Sequence, residues 1–391
     1  MRYKNTAMKF FTALIITTLF WCSPVFSQKE NNNYTFGKGF TFKNEKHTLN
    51  LAGRAQVLAT SNFLMDSTLS HKASELFVRR ARIKLKSSHY KGLFKTKFEF
   101  GLSPRDLSTP EGIHYTFLDR MVLDAYLLFT PFENFEILIG QHKLPGNRQR
   151  VVSSGNMELV DRSILNSKMT LDRDLGLQVN YTWQTKNKVI FRHSFALSQG
   201  EGKNIIMGNR GGMNYTFRSE ILPLGNFSKK GDYVESDLAR EKTAKLSFGA
   251  SYDFNNDVYR TRGQKGALIL ENTEIRRLST DIHTTFVDAM LKWKGLSVLS
   301  EFGYRIWQNK NQTPCGKAHS FHIQPGYTFR NYWNIAVRYA YYKETIYQFS
   351  SNIINELRLG ISKYIIGHKL KIQSDLGLIR NNTSHNLMGR I

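Results

Sequence analysis

Over most of this chain apolar and polar residues alternate one for one. The alternation is sharpest in Glu75–Ser87, where Arg80, Arg82, Lys84 and Lys86 are basic and Ala81, Ile83 and Leu85 between them are apolar. A strand sends successive side chains to opposite faces, so this segment predicts a strand with one cationic and one oily face. His47–Thr60 repeats the period, with Leu49, Leu51, Ala55 and Val57 against Asn50, Arg54 and Gln56. Leu93–Leu102 sets Phe94, Phe98 and Phe100 against Lys95, Lys97 and Glu99. Further strands are predicted at Met121–Phe132, Asn134–His142, Asp174–Thr185, Lys188–Ser198, Tyr215–Leu222 and Ala244–Phe254. The C-terminal part reads as successive hairpins: His283–Trp293, Leu296–Trp307, Lys317–Phe329, Tyr332–Lys343, Asn352–Ile366 and Lys369–Leu378, with Asn386–Ile391 as a last segment. The total is roughly sixteen strands, within the even range of bacterial outer-membrane barrels.

Three stretches break the alternation. Residues 28–46 are polar and form an N-terminal lead-in to a strand array over 47–391. Lys143–Asp172 is long and strongly charged, carries Lys143, Arg148, Arg150, Arg162 and Lys168, and ends just before Arg173; Met157–Leu165 within it predicts a short helix. An irregular insertion of this length in a regular array points to function. Asn255–Thr280 reads as a surface loop.

The first residues have the form of a secretory leader. Arg2, Lys4 and Lys9 precede the apolar run Phe10–Cys22, and Val25-Phe26-Ser27 offers a cleavage site, so residues 1–27 are expected to be removed on export. The formal charge of +24, from 55 Lys and Arg against 31 Asp and Glu, falls to +21 without those three bases. Such an excess selects anionic partners: small anions, lipopolysaccharide or nucleic acid. Export makes nucleic acid the poorest fit. Only Cys315 follows the leader, which excludes a disulfide framework or a site built on several cysteines.

No later run reaches the roughly 18 apolar residues of a transmembrane helix. Trp293, Tyr304, Trp307, Tyr327, Trp333, Tyr339, Tyr341 and Tyr364 sit near strand ends, as interface girdles would. In a bilayer, one register of Glu75–Ser87 turns Arg80, Arg82 and Lys84 to lipid. At roughly 2–4 kcal/mol for each mid-depth base, that costs more than about 6 kcal/mol. The other register exposes only Glu75 and Arg79 near a strand end, at about 0–1 kcal/mol each. The bases are therefore expected inside a wet lumen. The same choice places Arg54, Lys95, Lys97, Arg192, Arg218, Lys245, Arg305, Arg338, Arg358 and Lys371 inward, with the acids Glu99, Asp124, Glu301 and Asp375 among them. A barrel of about sixteen strands leaves an aqueous channel.

Several segments resemble the phosphate-selective porin O and P family. They are Gly37-Lys38-Gly39-Phe40-Thr41-Phe42 with Leu49–Gln56, Phe77-Val78-Arg79-Arg80-Ala81-Arg82-Ile83 and Leu123-Asp124-Ala125-Tyr126-Leu127. Ile139-Gly140-Gln141-His142-Lys143-Leu144-Pro145, Met157-Glu158-Leu159-Val160-Asp161-Arg162-Ser163 and Arg173-Asp174-Leu175-Gly176 continue the likeness. The leader and loops are similar in style to Bacteroidetes-type members. The resemblance implies an all-β transmembrane antiparallel barrel of about sixteen strands, assembled as a homotrimer in the outer membrane of a Gram-negative bacterium, among its lipid and lipopolysaccharide. It also implies that the third loop, here Lys143–Asp172, folds inward as a constriction. Arg148, Arg150, Arg162 and Lys168 are then the constriction candidates. Arg80, Arg82, Lys84, Lys86, Lys95, Lys97 and Arg192 are the candidates for an anion-guiding wall. Members end their last strand on an aromatic residue, whereas this sequence stops at Ile391, so either a truncated final strand or a different ending is expected.

These readings converge on an anion-preferring diffusion channel without cofactor or metal, with phosphate or polyphosphate as candidate solutes. The alternative is a secreted β protein that binds polyanions or glycans. An enzyme fits poorly: no Gly-x-Ser-x-Gly elbow is present, and Gly200–Asn204 lacks the Lys-Ser/Thr ending of a phosphate-binding loop.

Overall fold

A computed structural model describes residues 33–65, 69–107, 121–205, 212–258, 260–266, 281–309, 314–346, 350–382 and 384–391. The expected leader lies outside the described residues. The first strands are β1 (Asn33–Thr35), β2 (Gly39–Lys43), β3 (His47–Leu64), β4 (Ser70–His89), β5 (Phe94–Gly101) and β6 (Val122–Phe132). Then follow β7 (Phe135–Lys143), β8 (Arg173–Gln184), β9 (Ile190–Ser198), β10 (Asn214–Leu222), β11 (Lys245–Asn255) and β12 (Asp281–Trp293). The last are β13 (Leu296–Gln308), β14 (Pro314–Thr328), β15 (Trp333–Ile346), β16 (Ser350–Tyr364), β17 (Lys371–Asn381) and β18 (His385–Arg390).

From β3 to β18 each strand pairs antiparallel with the next, and β18 returns to β3 at Asn386↔Leu64 through Arg390↔Thr60, closing a barrel of sixteen strands. Closure satisfies backbone groups that would otherwise be unpaired in hydrocarbon. No helix among the described residues is long and apolar enough to cross a membrane; the crossing elements are strands. The lead-in is not merely a polar tail. Its β1–β2 hairpin lays β2 on β3, with Phe40↔Leu51 and Lys43↔Thr48, along the same edge that β18 uses farther on.

The alternation has the physical meaning expected of it. In β16, Leu357 is 47% exposed and faces outward while its neighbour Arg358, at 2%, points into the barrel. One end of the barrel carries tight connections such as Lys294-Gly295, where both residues have positive φ (49° and 102°), the geometry of a two-residue hairpin turn. A Cβ on Gly295 would lie 2.4 Å from the Thr328 carbonyl oxygen, so the position requires glycine.

Two sequence expectations are corrected by packing. Arg79 does not face lipid: a bulge in β4, where Arg80 pairs with Gln56 and Val78 with Val57, turns Arg79 and Arg80 both inward, and both are buried. Trp307 and Tyr364 are not interface anchors. Trp307 is buried inside and donates to the Thr261 carbonyl at 3.1 Å, and Tyr364 stacks edge-on against His368.

Because Leu357 lies mid-strand on the outer face, Leu357→Arg should destabilise the folded barrel by about 2–4 kcal/mol. Urea unfolding in liposomes, followed by loss of the heat-modifiable band on gels, measures this. No shift in midpoint would show that this face does not meet hydrocarbon.

Candidate functional site

After Lys143 the chain turns into the barrel, and residues 144–172 are held there by side chains of β10–β17. Two short helices form, α1 (Arg148–Val151) and α2 (Ile164–Met169). The Ser163 hydroxyl caps α2, accepting from the Asn166 amide at 3.3 Å and donating to Gln149 Oε1 at 2.8 Å. Beneath the loop, Leu144, Leu165, Met169 and Leu171 pack with Phe286, Ala318, Tyr342 and Ile354 in one buried cluster. Above that apolar floor the attachment is polar. Glu301 accepts from the Gln149 amide (2.6 Å), Asp375 from the Val160 amide (3.1 Å) and Glu356 from the Ile164 amide (3.0 Å). Arg305 donates to the Met169 carbonyl at 2.7 Å.

This explains why the expected helix over Met157–Leu165 is absent before Ile164. The amides of Glu158, Val160 and Ile164 donate to carboxylates of Glu235, Asp375 and Glu356, so they are unavailable to carbonyls four residues back. The helix begins only at Ile164. Glu158 itself is buried among donors, with Asn334 Nδ2 at 2.7 Å and Ser297 Oγ at 2.9 Å. It fits because Gly326 has no side chain; a Cβ there would lie 2.2 Å from Glu158 Oε1. Burial pushes the Glu158 carboxyl up to about 7, against those donors and with the help of nearby Glu235.

The free side of the loop faces β4–β7 across a cavity of about 1090 Å³. Sixteen Lys and Arg residues line it against six Asp and Glu, counted among the described residues. Arg80, Arg82, Lys84, Lys86 and Lys97 all lie on this wall, and Arg150 and Arg162 face it from the loop. Several bases have carboxylate partners. Arg82 binds Asp106 in bidentate fashion (2.9 and 2.7 Å) and Glu99 at 3.2 Å. Lys97 pairs with Asp124 and Glu99, and Arg150 with Asp172. Arg79 and Arg80 both reach Asp161; burial alone would raise the Asp161 carboxyl, but these two guanidiniums and Arg390 hold it well below the usual range.

Others keep more of their charge toward the cavity. Lys86 has no carboxylate within ion-pair distance among the described residues. Lys84 is 3.5 Å from Glu99. Arg162 donates to carbonyl oxygens of Gln149 (2.8 Å) and Val152 (2.9 Å) rather than to an acid. Burial lowers Arg162 to about 10, so it remains protonated at neutral pH.

Four candidates lie elsewhere. Arg148 is fully buried and turned away from the cavity onto Asp288 (2.9 Å), Glu220 (3.2 Å) and Ser247 (2.9 Å), so it anchors the loop instead of lining a path. Lys168 stands over the Tyr342 ring at 5.9 Å, against β15. Lys95 sits beside Gly92 at the tight-turn end, outside the cavity lining. Arg192 lines a second cavity of about 630 Å³ on the tight-turn side, paired with Asp232. The two cavities share Lys143 and Val151 in their walls. Sequence reasoning missed Arg79, whose signal was the adjacent Arg79-Arg80 pair, and Arg260 and Arg262, which come from an apparent surface loop to the same cavity. It also missed residues 223–244, which fold inward from the opposite end.

The fold matches solved outer-membrane porins. OmpF of Salmonella typhi in complex with daunomycin aligns at 11% identity over 90% of this chain and 98% of that one, with a TM-score of 0.55. OmpT of Vibrio cholerae in its trimer form aligns at 10% identity over 88% and 99%, with a TM-score of 0.53. At such identities the likeness is one of fold. No curated protein matches the sequence. The family model for phosphate-selective porin O and P matches residues 58–236, which run from within β3 through the inward loop to the segment after β10. The match covers the stretch that carries the wall bases and the inward loop.

Proposed function

We propose that this porin is an anion-preferring diffusion channel of the outer membrane, with phosphate or polyphosphate among its solutes. The observation that carries the reading is the excess of ten positive charges around the larger cavity, from sixteen bases and six acids. Inward cations raise the local concentration of anions and lower the barrier to entering a narrow, low-dielectric passage. The interspersed acids Glu99, Asp106 and Asp124 keep any one site from binding too tightly for release. Lys84, Lys86 and Arg162 are the side chains that meet the passing ion most directly, and Arg80, Arg82 and Lys97 shape the field behind them. Phosphate is supported by the family description, and guanidinium forks suit its oxygens. A homotrimer is supported by the trimer form of the Vibrio neighbour. The apolar outer face fits lipid and lipopolysaccharide rather than water, which disfavours a soluble binding protein. Residues 1–27 are read as a cleaved export signal.

Reversal potentials in planar bilayers under a chloride gradient test the reading. Anion preference is expected, with chloride current reduced by added phosphate; cation preference would overturn it. Lys86→Glu, which breaks no ion pair, should move the reversal potential toward cations without lowering the unfolding temperature. Arg148→Met should do the reverse. It leaves Asp288 and Glu220 short of a buried partner, costing about 3–5 kcal/mol, and is read by thermal unfolding in detergent. If the Arg148 variant shifted selectivity at unchanged stability, the division between anchor and path would be wrong.

A further inference from the structure

Residues 223–244 join β10 to β11 at the tight-turn end, where neighbouring connections such as Lys294-Gly295 are two residues long. Instead of turning, this segment crosses the mouth. Asp232 pairs with Arg192 of β9. The Lys292 ammonium of β12 is wrapped by the carbonyls of Gly231, Val234 and Ser236 at 2.7, 2.7 and 2.8 Å. Asp237 accepts from the Gly295 amide at 2.8 Å, and Ser236 meets His368, in the turn after β16, at 3.1 Å. On a ring of sixteen strands, β9 and the β16–β17 turn stand nearly opposite one another. Phe227, Asp232, Glu235, Ser236 and Asp237 are all buried, so the segment is packed into the mouth rather than draped over it.

Its inner tip then meets the constriction loop. The Glu235 amide donates to the Asn156 carbonyl at 3.0 Å, and its carboxylate accepts from the Glu158 amide (2.9 Å), Gln149 Nε2 (3.1 Å) and Gln324 Nε2 (3.1 Å). Asn156 Nδ2 in turn donates to the Tyr233 carbonyl at 3.2 Å. Two insertions from opposite ends of the barrel thus interlock at mid-lumen.

We propose that residues 223–244 form a fixed plug that seats on the constriction loop through Glu235 and sets the size limit of the channel. Beside the plug and loop run two cavities that meet at Lys143 and Val151: the larger between β4–β7 and Glu356, Arg358 and Arg390, the smaller along β8–β10. The inference deepens the anion-channel reading and rests on it: the wall bases choose the sign of the solute, and the plug chooses its bulk.

The test replaces residues 226–241 by a short Asn-Gly turn, with Glu235→Ala as a second variant that keeps the plug and removes its latch. Folding is scored by heat-modifiable migration. Single-channel conductance of the plugless barrel should rise by about twofold or more, and liposome swelling should admit a disaccharide that the parent excludes. Glu235→Ala should show an intermediate conductance. Unchanged conductance and solute cut-off in a folded plugless variant would overturn the proposal. Should that variant fail to fold, unchanged values in Glu235→Ala would overturn it. The reversal potential of the parent protein is a separate readout: loss of anion preference there defeats the channel reading, whereas an anion-preferring parent with an unmoved size limit defeats only the plug.

Discussion

In hydrocarbon a backbone amide without a partner costs several kcal/mol, so a strand can cross a membrane only if both of its edges are bonded. Everything else in this protein follows from meeting that condition by closure. Once β18 pairs with β3, the alternation of each strand divides cleanly into an outside and an inside. The Leu357 and Arg358 pair, adjacent in sequence, then lives in two solvents. The closed ring also creates an enclosed space too wide for wall side chains to fill, and the inward segments occupy it.

Filling that space poses the same requirement again. An irregular loop inside a barrel brings amides and carbonyls that strands do not satisfy. Here the wall supplies the missing partners as ions. Glu301, Glu356 and Asp375 take loop amides, while Arg305 and Lys371 take loop carbonyls at 2.7 Å each. Many lumen charges are therefore structural. Arg148 belongs to this group, bound by Asp288 and Glu220, and its fully buried position leaves it nothing to offer a passing ion. The cavity side is different, because bases there outnumber acids and some, such as Lys86 and Arg162, lack an acid at bonding distance among the described residues.

The fold was legible in the sequence because alternation is a local signal enforced by a large lipid penalty. Every strand from β3 to β17 could be placed by reading which residues must avoid hydrocarbon. The wall bases Arg80, Arg82, Lys84, Lys86 and Lys97 followed from the same logic. What escaped was set by contacts distant in sequence. The bulge at Arg79 depends on registration with Gln56 and Val57. The irregular, non-helical form of Met157–Ser163 depends on carboxylates from Glu235 and Asp375. Arg148 and Lys168 share the loop with Arg150 and Arg162, yet no local pattern says which of them point to the cavity and which to the floor. No local pattern marks residues 223–244 as an inward segment, because the partners of their buried acids, Arg192 and hydrogen-bond donors, come together only in the closed barrel.

Apart from Arg79 and Arg80 on Asp161 and Arg54 on Ser154, the anchors of the inward loop lie downstream of it. Residues 144–172 are tied to Glu220, Asp288, Glu301, Glu356 and Asp375, all made later in the chain. The fastening of the inward loop is thus a late event in assembly, governed by contacts of long sequence separation that form slowly. A half-built barrel would hold its loop unfastened, with buried-to-be carboxylates and guanidiniums still in water. The inward loop is therefore also the element that registers whether the wall around it is complete.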